Sequence, residues 1–468
     1  MRNGLILLST VALSACNFAP AYRQPVAPVS QNFETAPGIG TAAVDLGWRD
    51  FFGDPRLQAH IAAALANNRD LAQAVARIEK ARAQYRITET DRLPQLGGSA
   101  DAARSRTPAS ALGGAAGAGA ITADQFNLGV AVASYEIDFW GRLKNLSDAA
   151  RARYLASVES ERAFRLSLIS QVAATYLSIQ AGEERIALAE QTLAARREGL
   201  RIATSRADAG VTSIVDQDQA ALLVTQAETE IADLLRVTEQ AANLLTVLVG
   251  GPIADPLPPG RLLSQTEQFA TIDAGLPSAL LVNRPDILGA EQQLRAANAD
   301  IGAARAAFLP NISLTGSAGF LSPALDTLVN SNSQRWSFGG ALNLPIFDWG
   351  KRTAQLRVNE ATARELTAAY ERAVQGAFRE VADALVGRTR YAEQIAAQQR
   401  AVDAQQRLAR VARLRYDNGI AIYLEVLDAE RNLFAAQQQL LSLRAAQLQN
   451  AVSLYVALGG GLKERAAS

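Results

Sequence analysis

The chain has 468 residues, of which 49% are hydrophobic but only 6% aromatic, and its 46 Lys and Arg are balanced by 46 Asp and Glu. Ala, Leu, Arg, Gln and Glu dominate, which is the composition of long helices packed at close range and not of a core built on aromatic side chains. Zero formal net charge leaves no electrostatic footprint for nucleic acid, and no shift in composition divides the chain into independent folding units.

The N-terminus, MRNGLILLSTVALSACNF, places one Arg before an apolar run from Leu5 to Leu13 and small residues before Cys16. About ten apolar residues cannot cross a hydrocarbon core roughly 30 Å thick as a helix, so residues 1–15 are predicted to be an export signal. Leu13, Ser14, Ala15 and Cys16 resemble the bacterial lipobox, whose Cys becomes the acylated first residue of the mature chain. Cys16 is the only Cys, so no internal disulfide can form. Asn17 in place of an Asp after it favours the outer membrane, by analogy with lipoprotein sorting. The anchored extended segment is predicted over 16–54. No later apolar run reaches the ~18 residues of a membrane helix, so a bilayer crossing has to use strands.

Next along the chain, helical patterns begin at NNRDLAQA (67) and VNRPDILGA (282), 215 positions apart, and the spacing then settles. Gly141 and Gly350, Gly210 and Gly419, and Gly250 and Gly459 are each 209 positions apart. Three such anchors without an insertion between them indicate a duplication. The halves are predicted over 55–251 and 273–460, with a linker at 252–272 and a tail at 461–468.

The stretches ahead of the first anchors alternate. Phe126, Leu128, Val130 and Val132 stand at every second position, Trp336, Phe338, Leu342, Leu344 and Ile346 do so with Gly340 in the gap, and Ile312, Leu314, Ala318 and Phe320 share one parity. Strict alternation over about ten residues predicts strands with one greasy and one polar or small face, at the length of a tilted membrane strand. QLGGSADAARS is a weaker fourth. Each strand pair then meets a near-identical junction, IDFWGRL at 137 and IFDWGKR at 346, with Trp140 and Trp349 placed like interfacial aromatics.

After each junction come 68 residues without a Pro. At 1.5 Å per residue each would be a helix roughly 100 Å long. Val172, Ile179, Ile186, Leu193 and Leu200 recur every seven residues, the period of coiled packing against neighbouring helices. Gly210 and Gly419 would end these helices, and about 40 residues run back to the last glycine pair. Four strands cannot close a barrel, and an open edge in lipid leaves backbone groups unpaired, so the chain must oligomerise.

The whole pattern resembles the TolC-like outer-membrane efflux channels, most closely the lipid-anchored OprM-type branch that serves resistance-nodulation-division pumps. The resemblance rests on GWRDFFGDPRLQ (47), ALANNRDLAQAVARIEKARA (64), NRPDILGAEQQLRAANADIGAARAAFLPNISLTGSAG (283), LPIFDWGKR (344) and LDAERNLFAAQQQL (427), in that order. It implies a fold that is mainly α with transmembrane β: duplicated helical hairpins and four strands per chain, giving a trimeric α-barrel joined to a shared 12-stranded β-barrel. It also implies a periplasmic adaptor and an inner-membrane transporter as partners, outer-membrane lipid as surroundings, and a duct closed at its periplasmic tip until the adaptor docks. The expected function is a passive gated exit for drugs and other small molecules.

Leu424 and Asp428, four apart after the second turn, stack on one helix face. Facing the bore, they would add a leucine ring that closes the hole by dewetting and a carboxylate ring that attracts cations. The family's tip constriction falls on these two positions. Val215 and Gln219 occupy them in the first half, so one helix pair alone carries the carboxylate. Some relatives lock the tip with a Tyr, an Arg two residues after the Gly, and an acid. Tyr416 and Glu425 fit that pattern, but the Arg position holds Ala421, which predicts an absent or rearranged lock. The turns Gly210, Val211, Thr212, Ser213 and Gly419, Ile420, Ala421, Ile422 are the candidate adaptor contacts.

Enzyme chemistry has little footing. His60, the single His, has no Cys or His partner in its helix pattern, and no phosphate loop or nucleophile elbow appears. Arg284 and Asp286 in RPDI read as a helix start with a local cap. No cofactor or metal site is expected. Two other readings compete: a periplasmic adaptor lipoprotein, though adaptors carry one hairpin and this chain has two, and an outer-membrane duct of a type I secretion or metal-efflux system. With only Met1 and His60, no Met/His relay for soft metals is visible.

Overall fold

A computed structural model of the chain describes residues 17–29, 41–108, 120–252, 257–263, 269, 272–273 and 277–465. Cys16 lies outside the described residues. In chain order the elements are β1 (Thr41–Ala42), α1 (Trp48–Phe51), α2 (Pro55–Asn67), α3 (Arg69–Thr90), β2 (Leu96–Thr107), β3 (Ile121–Ile137), α4 (Arg142–Asp208) and α5 (Ile214–Val249). They continue with β4 (Ile272–Asp273), α6 (Pro277–Asn283), α7 (Pro285–Ala306), β5 (Asn311–Ser322), β6 (Gln334–Asn343), α8 (Lys351–Asp417) and α9 (Tyr423–Ala457). Helices α4 and α8 have 67 residues each. The glycine anchors explain how the chain stops them: Gly210 and Gly419 both sit at φ +71°, and Gly141, Gly350, Gly250 and Gly459 are all left-handed as well. The 209-residue spacing thus repeats a set of backbone turns that an L side chain would strain.

Two compact units divide the chain, one of residues 1–25, 77–157 and 290–370, the other of 26–76, 158–289 and 371–468. Neither coincides with a sequence half, because strands from both halves share one sheet and hairpins from both halves pack together.

The first unit holds the sheet, antiparallel in the order β2-β3-β5-β6. Its register sorts the side chains. Leu128 faces Phe320, Val130 faces Ala318, Ala318 faces Trp336 and Gly316 faces Phe338, all on one side. The other side holds Asp101 opposite Asn127, Ala131 opposite Ser317 and Ser317 opposite Ser337, with Asn127 donating to Asp101 and the two serine hydroxyls 2.7 Å apart. At 17 residues β3 exceeds the expected ten or so, and a register shift between Val132 and Tyr135 absorbs one extra residue. That bulge keeps Tyr135 opposite Leu314 and Ile137 opposite Ile312, still on the apolar side.

The two junctions solve one problem with different atoms. Asp138 accepts from the amides of Leu143 and Lys144 at 3.0 and 2.7 Å, and Asp348 from those of Gly350 and Arg352 at 3.1 and 2.9 Å. Each carboxylate satisfies amides at the start of a long helix that would otherwise lack partners. The two Trp side chains are not equivalent. Trp140 donates to the Pro310 carbonyl at 2.8 Å and is half-buried, whereas Trp349 is 91% exposed and itself adopts φ 56°.

An extended strap, residues 17–24, lies along α7 in the same unit. The Arg305 side chain reaches the Phe18 carbonyl at 3.4 Å, Asn298 donates to the Pro20 carbonyl at 2.6 Å, and Tyr22 donates to Glu291 at 3.1 Å. Phe18 also packs against Trp140, ring centroids 6.3 Å apart.

In the second unit the GWRDFFGDPRLQ motif supplies core and cap. Phe51 and Phe52 are fully buried, and Phe51 stacks on Tyr455 at 4.0 Å. Asp54 caps α2 through the Arg56 amide at 2.8 Å and accepts from Tyr176 at 2.7 Å. Pro285 opens α7, but Arg284 does more than close a local cap. It is 8% exposed, forks onto Asp286, pairs with Glu380 at 2.8 Å and donates to the Ala457 carbonyl at 2.9 Å. Among the described residues no helix is long and apolar enough to cross a membrane.

Candidate functional site at the hairpin turns

The turns of the second unit close by the same geometry. At α4 the Val211 amide donates to the Arg206 carbonyl and the Gly210 amide to Ala207, both at 2.9 Å. At α8 the Ile420 amide donates to Arg415 at 2.8 Å and the Gly419 amide to Tyr416 at 2.9 Å. This paired return to the last helical carbonyls is the Schellman arrangement, which explains why a glycine stands at each turn. The helices that follow start differently. The Ser213 hydroxyl accepts from the Val215 amide at 3.2 Å, whereas Ile422 offers α9 no side-chain cap.

Beneath the turns Tyr416, Tyr423, Val426 and Leu427 form a small core with Ala203, Ala220, Leu223 and Ala412. Tyr416 and Tyr423 lie 5.0 Å apart between ring centroids, and the Arg206 guanidinium sits 4.7 Å over Tyr416. Burial, followed by the Glu430 charge, pushes the Tyr423 hydroxyl up to about 12, so it stays protonated. One turn deeper, Arg196 is 5% exposed, donates to the Leu223 carbonyl at 2.9 Å and lies 5.4 Å over Phe434. Burial lowers its pKa against the pull of Glu430, and burial raises Glu430 against the pull of Arg413 and Arg196.

Leu424 and Asp428 lie on the exposed side of α9, off the core face. Leu424 is 44% exposed, Asp428 is exposed, and Asp428 accepts from Arg431 at 3.0 Å. Val215 on α5 is exposed in the same way, while Gln219 is half-buried. Tyr416 stands in the core and Glu425 pairs with Arg415 at 3.1 Å, so the acid finds its arginine on the preceding helix in place of the missing one at Ala421. Val211, Ile214, Ile420 and Ile422 give the turns an apolar surface, each more than 60% exposed. The sequence passed over Tyr423, Arg196 and Glu430, whose partners come from other helices. His60 is buried beside Tyr176, ring centroids 5.6 Å apart, and among the described residues no group of His, Cys, Asp and Glu could hold a metal ion.

A duplicated hairpin protein with a sheet greasy on one side defines a class of membrane duct, and comparison with known proteins gives the family. The model for the outer membrane efflux protein family matches residues 60–251 and again 276–460. The chain is 41% identical over 464 residues to the toluene efflux pump outer membrane protein TtgI of Pseudomonas putida, covering 98% of each. It is 40% identical over 456 residues to the cation efflux system protein CusC of Escherichia coli, covering 96% of this chain and 97% of that protein. The solved open state of the Neisseria gonorrhoeae MtrE outer membrane channel superposes with a TM-score of 0.88 at 38% identity, covering 97% of this chain and all of that one. This chain belongs to the outer membrane efflux protein family and has its channel fold of α-barrel and β-barrel.

Proposed function

We propose that three copies of this outer-membrane efflux channel form one passive duct, gated at its periplasmic end by rings of Leu424 and Asp428. One observation carries the reading. Those two side chains stand together on the exposed side of α9, away from the core that holds the turn, so copies arranged around a bore can present them to it. The sheet supports the sharing of a wall, since among the described residues β2 and β6 each pair on one side only, and Trp336, Phe338 and Leu342 are at least 67% exposed. A periplasmic adaptor and an inner-membrane resistance-nodulation-division transporter supply the drive, and the chain itself performs no covalent chemistry. The exposed turns 210–213 and 419–422 receive the adaptor. Cys16 carries the acyl anchor, and the strap of residues 17–24 ties it to α7. The cargo is small organic molecules, in line with the relative named for toluene.

The gate is tested by single-channel conductance of purified channel in planar bilayers. Asp428→Ala and Leu424→Ala should each raise the closed-state conductance severalfold, and Asp428→Ala should also weaken cation preference. Conductance and selectivity identical to wild type in both variants would refute the gate.

A further inference from the structure

The apolar side of the sheet ends at a basic rim. Along β2 the outward positions run Leu96, Gly98, Ala100, Ala102 and then Arg104 and Arg106, and their partners on β3 turn polar at the same height, Asp124 opposite Arg104 and Thr122 opposite Arg106. On β6 the change falls at Gln334, opposite Phe320. This is the end of the sheet remote from the starts of α4 and α8, which follow Ile137 and Asn343. Arg104 lies 3.0 Å from Asp124, with its side chain 74% exposed, and Arg106 is exposed with no ion pair among the described residues. Residues 108–120, which join these strands, contain no acidic side chain. On the outward side of the β2–β3 pair two guanidiniums thus meet one carboxylate, while Asp326 stands exposed in the connection between β5 and β6.

An arginine is costly at mid-bilayer and nearly free at the interface, where a guanidinium can fork onto a phosphate. We propose that Arg104 and Arg106 form a binding site for a phosphorylated glycolipid headgroup of the outer leaflet. Acyl chains lie on the apolar band below, while Asp124 holds Arg104 in place and leaves Arg106 free to clamp a phosphate. Arg335 makes the contrast. It lies opposite Gly319 on the inner side of the sheet, out of reach of lipid. The inference rests on the reading of this sheet as a barrel wall whose remote end faces outward. That premise has its own readout: Arg106→Cys should be labelled on intact cells by a membrane-impermeant maleimide.

The experiment is native mass spectrometry of the full channel with bisphosphorylated lipid A, dephosphorylated lipid A or phosphatidylglycerol. Arg104→Gln/Arg106→Gln should lower retention of bisphosphorylated lipid A about tenfold, and Arg106→Gln alone, which spares the Arg104–Asp124 pair, roughly threefold. Arg335→Gln should retain wild-type levels, and dephosphorylated lipid A should bind wild type no better than the double variant. Equal retention by wild type and Arg106→Gln overturns the proposal, as does retention of phosphatidylglycerol equal to that of bisphosphorylated lipid A. Absence of maleimide labelling overturns the orientation of the sheet instead.

Discussion

Glu430 lies on α9 within the field of Arg413 and Arg196, and its pKa is nevertheless raised, because burial of its carboxyl outweighs both arginines. A carboxyl raised in the folded state binds more protons there than in the unfolded chain. Its stabilising share is complete below the unfolded pKa and is lost as pH climbs through the raised value. Glu430→Gln removes that loss, so it should raise the unfolding midpoint at pH 8 and leave it almost unchanged at pH 4. A difference between variant and wild type that does not change with pH would show that burial is not the cause. At this scale the sequence exposed the neighbours along one helix, Leu424 and Asp428, through their spacing of four. It could not join Arg196 on α4 to Tyr423 and Glu430 on α9, since the separation between those two helices is set by hairpin lengths and not by helical period.

Among the elements, β3 and β5 approach so closely that their glycines carry the sheet. A side chain on Gly319 would come within 2.3 Å of the Leu128 carbonyl oxygen and 2.6 Å of the Gly129 backbone, its register partner. Gly319→Val should therefore cost about 1–3 kcal/mol per chain through overpacking and abolish the oligomer on a native gel. Ala318→Val, one position along on the exposed apolar side, should leave that oligomer intact. Equal loss in both variants would mean that mere bulk, and not this close approach, is at fault. Strand parity is legible in the alternation of the sequence, while the bulge at Val132 and Tyr135 is not. Both Tyr135 and Val132 are compatible with an uninterrupted alternation read from either end, and only pairing with β5 decides where the extra residue goes.

Across the whole molecule the unpaired features point toward other chains. Val215, Leu222, Val237 and Leu244 leave an apolar stripe exposed on α5, and Leu408, Val411 and Leu414 leave another on α8, as helices meant for neighbours would. The apolar turns are the proposed contact for the adaptor. Benzophenone placed at Val211 or Ile420 should crosslink to it in cells, and crosslinks confined to positions in the sheet would exclude these turns. At the other terminus, Cys16→Ser should abolish palmitate labelling while leaving the strap's grip on α7 unchanged. Persistent labelling would exclude Cys16 as the anchor.

The sequence by itself determined the duplication, the two long helices of about 68 residues, the presence of the strands and the face of each that is greasy, because all of these follow from periods of 2, 3.6 and 7 and from glycines at fixed spacing. Only the tertiary structure decided that the compact units cut across the repeats, that Arg284 reaches Glu380 and Ala457, and that Glu425 takes Arg415 as its partner. Those facts depend on which segments lie side by side, and a one-dimensional pattern carries no record of neighbours brought together by packing.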